Sequence, residues 1–547
     1  MHIQVRKFGG MRPSLGADLL APGEAVLAQD VRLTAGELRP LNGLLAGVSL
    51  TATTIKSIYR FGQTLSSITQ YWFQAAGDVD YVRGPVANDT TERTYFTDGV
   101  FPKKTDASIA TGATPYPSAS YAMGLPAPAA APTVTVTGSP TNSASVIETV
   151  VFTYTYVSPW GEEGPPSTAS TSVNWQAGQT LNISGMSASP GTGPQGQNYN
   201  VNGKRLYRSA LGTQSTQYQL VNTGATIALA TTTYTDTTVT ASLGDVLATV
   251  GWLEPLYNMT GLCAGPNGMM AGFAGNTLCF SVPGVPSAWP ARYQQATNAP
   301  IIGIAWFDQT VFVGTSAGVY LFTGADPANM SGGPIATVQA VVSKRSIVAM
   351  LGGVIFASSD GLYRIDSNGG PVNLTAGIMT RADWEVYTPS TFSAYESESR
   401  YIAFYDNGTT QASLIFSFSP ESSFVKSTLY MTAGFRDKKA ASLFLTNAAA
   451  VLYQYDKGSA LTYTWTSGVF HLAGEENAGR ASVDAAAYPV TFQLYADGAL
   501  KATQTVADKY AFSLPAGYRS SRYSFSLSGT SIVRSVEIAS VAALMSK

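Results

Sequence analysis

Histidine and cysteine are almost missing from this chain. His2 and His471 are its only imidazoles, and Cys263 and Cys279 its only thiols, in 547 residues. A Ser-His-Asp triad needs a positioned imidazole, and no nucleophile signature lies near His471. Two Cys and two His at these spacings match no zinc-ligand pattern, so neither metal nor cofactor is expected. The two thiols lie in one β-rich stretch and read as a buried pair of free cysteines rather than a disulfide framework. Charge is scarce too. Asp, Glu, Lys and Arg make up 12% of the chain, about half the usual share of roughly 25%. The net charge is −2 and no basic run occurs, which excludes a wide electrostatic footprint for gripping nucleic acid. No run of about 18 apolar residues predicts a membrane helix. The N-terminus, Met1 to Lys7, has no apolar stretch after its basic residues, so no secretory signal is expected and synthesis in the cytoplasm is the simplest reading. Helical periodicity is equally thin; one short helix is predicted, around Glu24–Asp30.

What is abundant is strand and turn chemistry: 53 Gly, 29 Pro, 29 Tyr and 23 Phe, with Ser and Thr throughout. Low charge removes the self-repulsion that keeps monomers apart. The surface therefore reads as one covered by neighbours, or else as the Ser/Thr/Asn surface of a secreted β protein.

Five segments follow from pattern and punctuation. Residues 1–50 read as an extended N-terminal arm. Residues 51–125 carry strand-like runs at 55–61, 67–73, 80–82 and 94–97, the last closed by Asp98-Gly99. The proline-rich stretch from Gly124 to Pro132 is an extended linker. Residues 126–247 are expected to form an inserted β-sandwich of immunoglobulin or fibronectin type, in which Phe152, Tyr154 and Tyr156 alternate with Thr153, Thr155 and Val157 and so share one face. Residues 248–470 contain a weak repeat: Gly275, Gly318 and Gly361 are about 43 apart and each precedes a strand, with Asn407-Gly408 and Asn447 continuing the series. A period of 40–45 residues is the mark of β-propeller blades, and four to five blades are expected here with the remainder in 51–125. Residues 471–547 read as a small C-terminal β unit. The predicted fold is all-β: a β-propeller core, the inserted sandwich, and the C-terminal unit.

Few residues offer chemistry. Gly191 to Gly196 fits the letters of a dinucleotide fingerprint, but no βαβ unit surrounds it and Pro194 interrupts it. Carboxylate pairs of the kind a glycosidase uses are Glu162-Glu163, Glu396 with Glu398, and Glu475-Glu476. Asp360 sits in a turn similar to part of a sialidase Asp-box, without the Thr-Trp that would complete it. No catalytic residue is assigned. The candidate interaction residues are Lys344 and Arg345, a rare local concentration of positive charge, together with Trp160, Glu162 and Glu163 in the turn after the aromatic strand. Lys344 and Arg345 would meet an acidic neighbour or DNA phosphate, or pair with an acid of their own chain.

Several segments together resemble the tail-nozzle family of short-tailed bacteriophages, also described as tail tubular or packaged-DNA-stabilisation proteins. They are Gly10-x-x-Pro13 through Ala28-Gln29-Asp30-Val31 to Gly36-Glu37-Leu38-Arg39-Pro40; Tyr95-Phe96-Thr97-Asp98-Gly99 and Gly124-Leu125-Pro126; Gly272-Phe273-Ala274-Gly275-Asn276 and Ala288-Trp289-Pro290; Ser343 to Val348 with Ser359-Asp360-Gly361-Leu362; and Phe512 to Pro515 with Ser528-Gly529-Thr530. The resemblance implies a virion structural protein and not an enzyme. It implies a homohexameric ring below the head–tail adaptor, whose channel retains and then conducts double-stranded DNA during ejection. A tail fibre or spike, and the host surface, are its other implied partners. The alternatives are a receptor-binding or fibre-docking tail protein and an exopolysaccharide-degrading propeller. Trp289, Trp306, Trp384 and Trp465 are expected in blade cores or subunit contacts.

Overall fold

A computed structural model describes residues 1–541 except 53, 63–69, 87, 212–215, 337–338, 367–369 and 419–421; part of the run expected at 67–73 lies outside these. The fold is all-β, with a propeller at its centre. The repeat of glycine and asparagine turns marks equivalent places in successive four-stranded antiparallel sheets. Blade 3 is Thr260–Ala264, Met270–Ala274, Thr277–Phe280 and Gln294–Ala296; blade 4 is Ile301–Phe307, Thr310–Thr315, Val319–Thr323 and Ser331–Ile335; blade 5 is Val348–Met350, Gly353–Ala357, Leu362–Asp366 and Pro371–Asn373. In each, the repeated glycine lies in the turn between the second and third strands. Asn407-Gly408 and Asn447 occupy the same turn in blade 6 (Ser393–Ser397, Arg400–Asp406, Gln411–Ser417, Ser423–Ser427) and blade 7 (Ala433–Asp437, Ser442–Thr446, Val451–Gln454). Blade 1 is the hairpin Ser57–Phe61 with Tyr71–Ala75, and blade 2 is Asp80–Arg83, Thr94–Thr97, Lys103–Thr105 and Tyr121–Ala122.

The wheel closes. First strands pack side by side from blade 2 through blade 7, and the first strand of blade 7 packs on that of blade 1. Blades 1 and 2 meet through Tyr59 stacked on Tyr81, centroids 5.4 Å apart. A blade has two apolar faces and buries both only between neighbours. Thus Phe312 of blade 4 lies against Phe356 of blade 5, 5.0 Å between centroids. The ring is fastened by the N-terminal segment: Leu45–Ser49 is the fourth strand of blade 7, with Gln454 opposite Leu45 and Val451 opposite Ser49.

The first fifty residues are strands bound to distant sequence. The predicted helix at Glu24–Asp30 is instead the strand Ala25–Gln29. It pairs antiparallel with Tyr463–Ser467 and touches blade 6's outer strand at Lys426. Seven residues without a helical apolar stripe gain more from two flanking strands than from two turns of helix. Ala25–Gln29 thereby joins blade 6 to the C-terminal strands in one ten-stranded sheet. A second sheet, built from His2–Val5, Val31–Thr34, Glu37–Pro40, Arg480–Ala485, Phe512–Ser513 and Val533–Ala539, shares its core. The one α-helix among the described residues, Arg381–Glu385, precedes blade 6; Thr380 and Asp383 cap it reciprocally, and Trp384 is buried beneath it.

Between blades 2 and 3 the chain forms small antiparallel sheets around one core: Thr133–Thr137 with Thr180–Ser184 and Tyr234–Asp236, Glu148–Val150 with Val173–Trp175, and Phe152–Val157 with Gly203–Leu211 and Thr216–Leu220. Phe152–Val157 is buried on both faces, not one. The segment after Gly164 folds back over the threonine side, where Thr153 Oγ1 donates to Ser167 O at 2.9 Å. Lys204 is fully buried, donating from Nζ to Ser187 O at 2.7 Å and Thr231 O at 2.6 Å. Its desolvation lowers its pKa from the ordinary 10.5 to about 8. The folded state therefore sheds this proton before the unfolded chain does, and stability should rise from about pH 8 towards 10.5. Comparing melting temperatures at the two ends of that window with those of Lys204→Met tests this: the wild type should gain stability relative to the variant, and parallel curves would refute it.

Candidate functional site

The residues singled out in the sequence fall in two places, the mouth of the propeller axis and the junction between blade 2 and the inserted sheets. Lys344 and Arg345 form a short 3-10 turn on the way into blade 5's first strand. From there they reach across the axis. Lys344 Nζ lies 2.6 Å from Asp80 Oδ2, 2.9 Å from Asp78 Oδ2 and 3.2 Å from Thr260 Oγ1. Arg345 pairs with Asp78 and donates to Val79 O at 3.1 Å and Ser57 Oγ at 3.2 Å. Blade 5 is thus tied to blades 1, 2 and 3. Of the two alternatives read from the sequence, these cations meet acids of their own chain.

Trp160, Glu162 and Glu163 are also turned inward. Lys104 of blade 2 is fully buried, and its Nζ lies 2.5 Å from Glu162 Oε2, which also accepts from Ser158 Oγ at 2.9 Å. Trp160 covers this pair: Lys104 Nζ is 5.3 Å and the Arg93 guanidinium 5.2 Å from its ring, and Tyr121 of blade 2 meets it edge-on at 5.8 Å. Glu163 accepts from Arg205 at 2.5 Å, Tyr207 Oη at 2.7 Å and Thr155 Oγ1 at 2.6 Å. The turn at 159–164 is therefore a clamp between two parts of the same chain. Nothing in its sequence distinguishes such a clamp from an exposed contact, because the partner Lys104 lies 58 residues away.

The other candidate acids, apart from the exposed Glu475, are spent in the same manner. Glu396 bonds Arg436 at 2.8 Å. Glu398 pairs with Arg32 and, at 3.3 Å, with Arg400. Glu476 holds the N-terminal amine. Asp360 accepts from Tyr363 Oη at 3.0 Å. Burial works against the ionised form of Glu396, but the Arg436 hydrogen bond, the Ser399 N–H and the nearby charges of Arg436 and Lys438 together outweigh it and hold the carboxyl below its ordinary range. His471 meets Asp18 at 3.1 Å, and no cluster of metal-ligating side chains occurs among the described residues. The Gly191 to Gly196 letters lie in a loop with a 3-10 turn at Pro194–Gly196. Cys263 and Cys279 are both free thiols. No helix among the described residues is long and apolar enough to cross a membrane. Trp289, Trp384 and Trp465 are buried in the core, and Trp306 packs half-buried against the core shared by blades 3 and 4.

The sequence reading missed a network at the far end of blades 6 and 7. There Arg32 and Arg400 share Asp456, at 2.8 and 3.1 Å. Arg32 belongs to the N-terminal segment, and its pairing could be found only by knowing that this segment closes the wheel.

No family and no curated protein matches the chain. Among solved structures, it is similar to BBS1N from its complex with ARL6DN (8% identity, TM-score 0.31, covering 77% of this chain and 99% of that one). It is likewise similar to Sqt1 of Saccharomyces cerevisiae (7%, 0.29, 76% and 99%) and to the N-terminal domain of Nup159 (11%, 0.24, 60% and 86%). The propeller rests on the seven sheets of this chain rather than on those likenesses.

Proposed function

We propose that this chain is a structural subunit of the tail nozzle of a short-tailed bacteriophage, assembling as a homohexameric ring around a channel that retains and then conducts genomic DNA. One observation carries most weight. The wheel is closed, and Lys344 and Arg345 brace its axis mouth, so a passage for a polymer has to lie between copies of the chain. A rigid wheel whose blades are tied to one another by ion pairs such as Lys344–Asp80 and Arg60–Asp437 is suited to a mechanical part. Its sparse surface charge leaves little to oppose packing against neighbours. Cyclic rings use head-to-tail interfaces whose rotation closes. In this reading the head–tail adaptor abuts one end of the ring and the fibre or spike its periphery.

A second reading, fibre or receptor docking, is favoured by the far end of the inserted sheets. Val146 and Ile147 are exposed there, and Val239 lies close by, since Thr240 Oγ1 bonds Glu148. Electron microscopy of particles carrying this chain separates the two. A six-fold ring on the particle axis is expected; a peripheral trimer, or a chain that stays monomeric at every concentration, overturns the nozzle reading.

A further inference from the structure

Six of the seven blades protect the outer edge of their sheet, and one does not. An open edge strand offers unpaired N–H and C=O groups to any strand that meets it, so folds blunt such edges with proline, short strands or a covering segment. Blade 4 ends in Ser331–Ile335, which carries Gly332, Gly333 and Pro334, and blade 5 ends in the three residues Pro371–Asn373. Blade 3 also ends in three residues, Gln294–Ala296. In blade 2, Ala122 N donates to Asn198 O of the inserted segment at 3.0 Å, and in blade 1, Gln74 N donates to Tyr116 O at 2.8 Å. Blade 6 is covered by Ala25–Gln29.

Blade 7 ends in Leu45–Ser49. This strand has no proline and no charge, and all five of its residues are exposed, Leu45 by 50% and Val48 by 60%. Among the described residues nothing bonds its backbone on the outer side. It also forms one wall of a groove of about 480 Å³, whose other walls include Tyr71, Trp72, Tyr116 and Phe444. An edge that is bare and flanked by aromatic rings is a seat for an extended strand.

A second edge of the same kind stands near the other end of the sequence. Ala499–Val506 is the outermost strand of the ten-stranded sheet, and six of its eight residues are exposed, Leu500 by 52%. Its one charge, Lys501, lies 5.7 Å from the Tyr518 ring. A head-to-tail ring requires two different surfaces on one chain, and these two edges are such a pair. We propose that Leu45–Ser49 of one copy pairs with Ala499–Val506 of the next, joining the blade 7 sheet of one subunit to the ten-stranded sheet of its neighbour; this rests on the ring reading above.

The test is the association state of the full-length chain, followed by sedimentation velocity over a range of concentrations. Two variants each spoil one edge with lysines, Leu45→Lys/Val48→Lys and Leu500→Lys/Thr503→Lys. The wild type should assemble. Each variant alone should stay monomeric with an unchanged melting temperature, because all four positions are exposed. Mixed in equal amounts, the two variants should form a dimer and stop there, since the mixture holds one intact pair of complementary edges. Variants that assemble like the wild type, or a mixture that stays monomeric, overturn the pairing. A second readout leaves the edges uncharged: Val48→Cys combined in turn with Leu500→Cys, Thr503→Cys and Gln504→Cys should crosslink copies under mild oxidation in at least one combination, and no crosslink in any of them overturns it too. A six-fold ring indifferent to all these changes sinks the pairing alone, whereas edge-dependent assembly into open fibres sinks the ring reading alone.

Discussion

Lys104→Ala should destabilise the chain by about 3–5 kcal/mol, the cost of leaving one partner of a buried ion pair without the other. Lys104 has no exposed surface and Glu162 only 8%, so water cannot replace the lost ammonium. The Glu162 Oε2 atom would keep its Ser158 bond, yet its charge would lie against Trp160 and the apolar side of blade 2 with no counter-ion. The double variant Lys104→Met/Glu162→Leu should recover most of that loss, because an apolar pair of similar volume avoids desolvating two charges. The readouts are denaturant unfolding and the rate of proteolysis in the proline-rich linker, which should rise in the single variant as the inserted sheets lose their clamp. A loss under about 1 kcal/mol in Lys104→Ala would mean that the junction is wetter, and the clamp weaker, than its geometry implies.

The clamp also marks the limit of what was legible in the sequence. Turn chemistry is local, so Gly275, Gly318, Gly361, Asn407-Gly408 and Asn447 could be read as one recurring turn, and the propeller with them. Pairing between distant segments is not local. The alternation of Phe152, Tyr154 and Tyr156 predicted one buried face; the other is covered by a segment whose return depends on Ser167 and Ser170. Glu24–Asp30 has no pattern of its own strong enough to announce a strand, since its two partners lie about 400 residues further along. Of the candidate site, Lys344, Arg345, Glu162 and Glu163 could be singled out as interaction residues by type alone. Their partners Asp78, Asp80, Lys104 and Arg205 became identifiable only once the blades were closed on one another.

Because the wheel is fastened by sequence from its other end, removing residues 1–50 should abolish folding rather than trim a disordered arm. Ile3, Val5, Phe8, Met11, Val31, Leu38 and Leu41 are all buried in the largest core. At roughly 1.5–3 kcal/mol for each large buried apolar side chain, their joint loss of about 10–21 kcal/mol is as large as the whole 5–15 kcal/mol by which ordinary domains are stable. The truncation also strips blade 7 of its fourth strand and cuts Ala25–Gln29 out of the sheet that links blade 6 to the C-terminal strands. The expected result is an insoluble or protease-sensitive product. A point substitution resolves the same claim without losing the protein. Phe8 meets Trp465 edge-on at 5.0 Å and is 2% exposed, so Phe8→Ala should cost about 3–5 kcal/mol. Gly10→Ala should be damaging for a different reason: a Cβ there would meet Phe424 O at 2.7 Å and Phe424 N at 2.8 Å, both backbone atoms of blade 6. A truncated chain that melts cooperatively near the wild-type temperature would show that the wheel closes without its N-terminal strand.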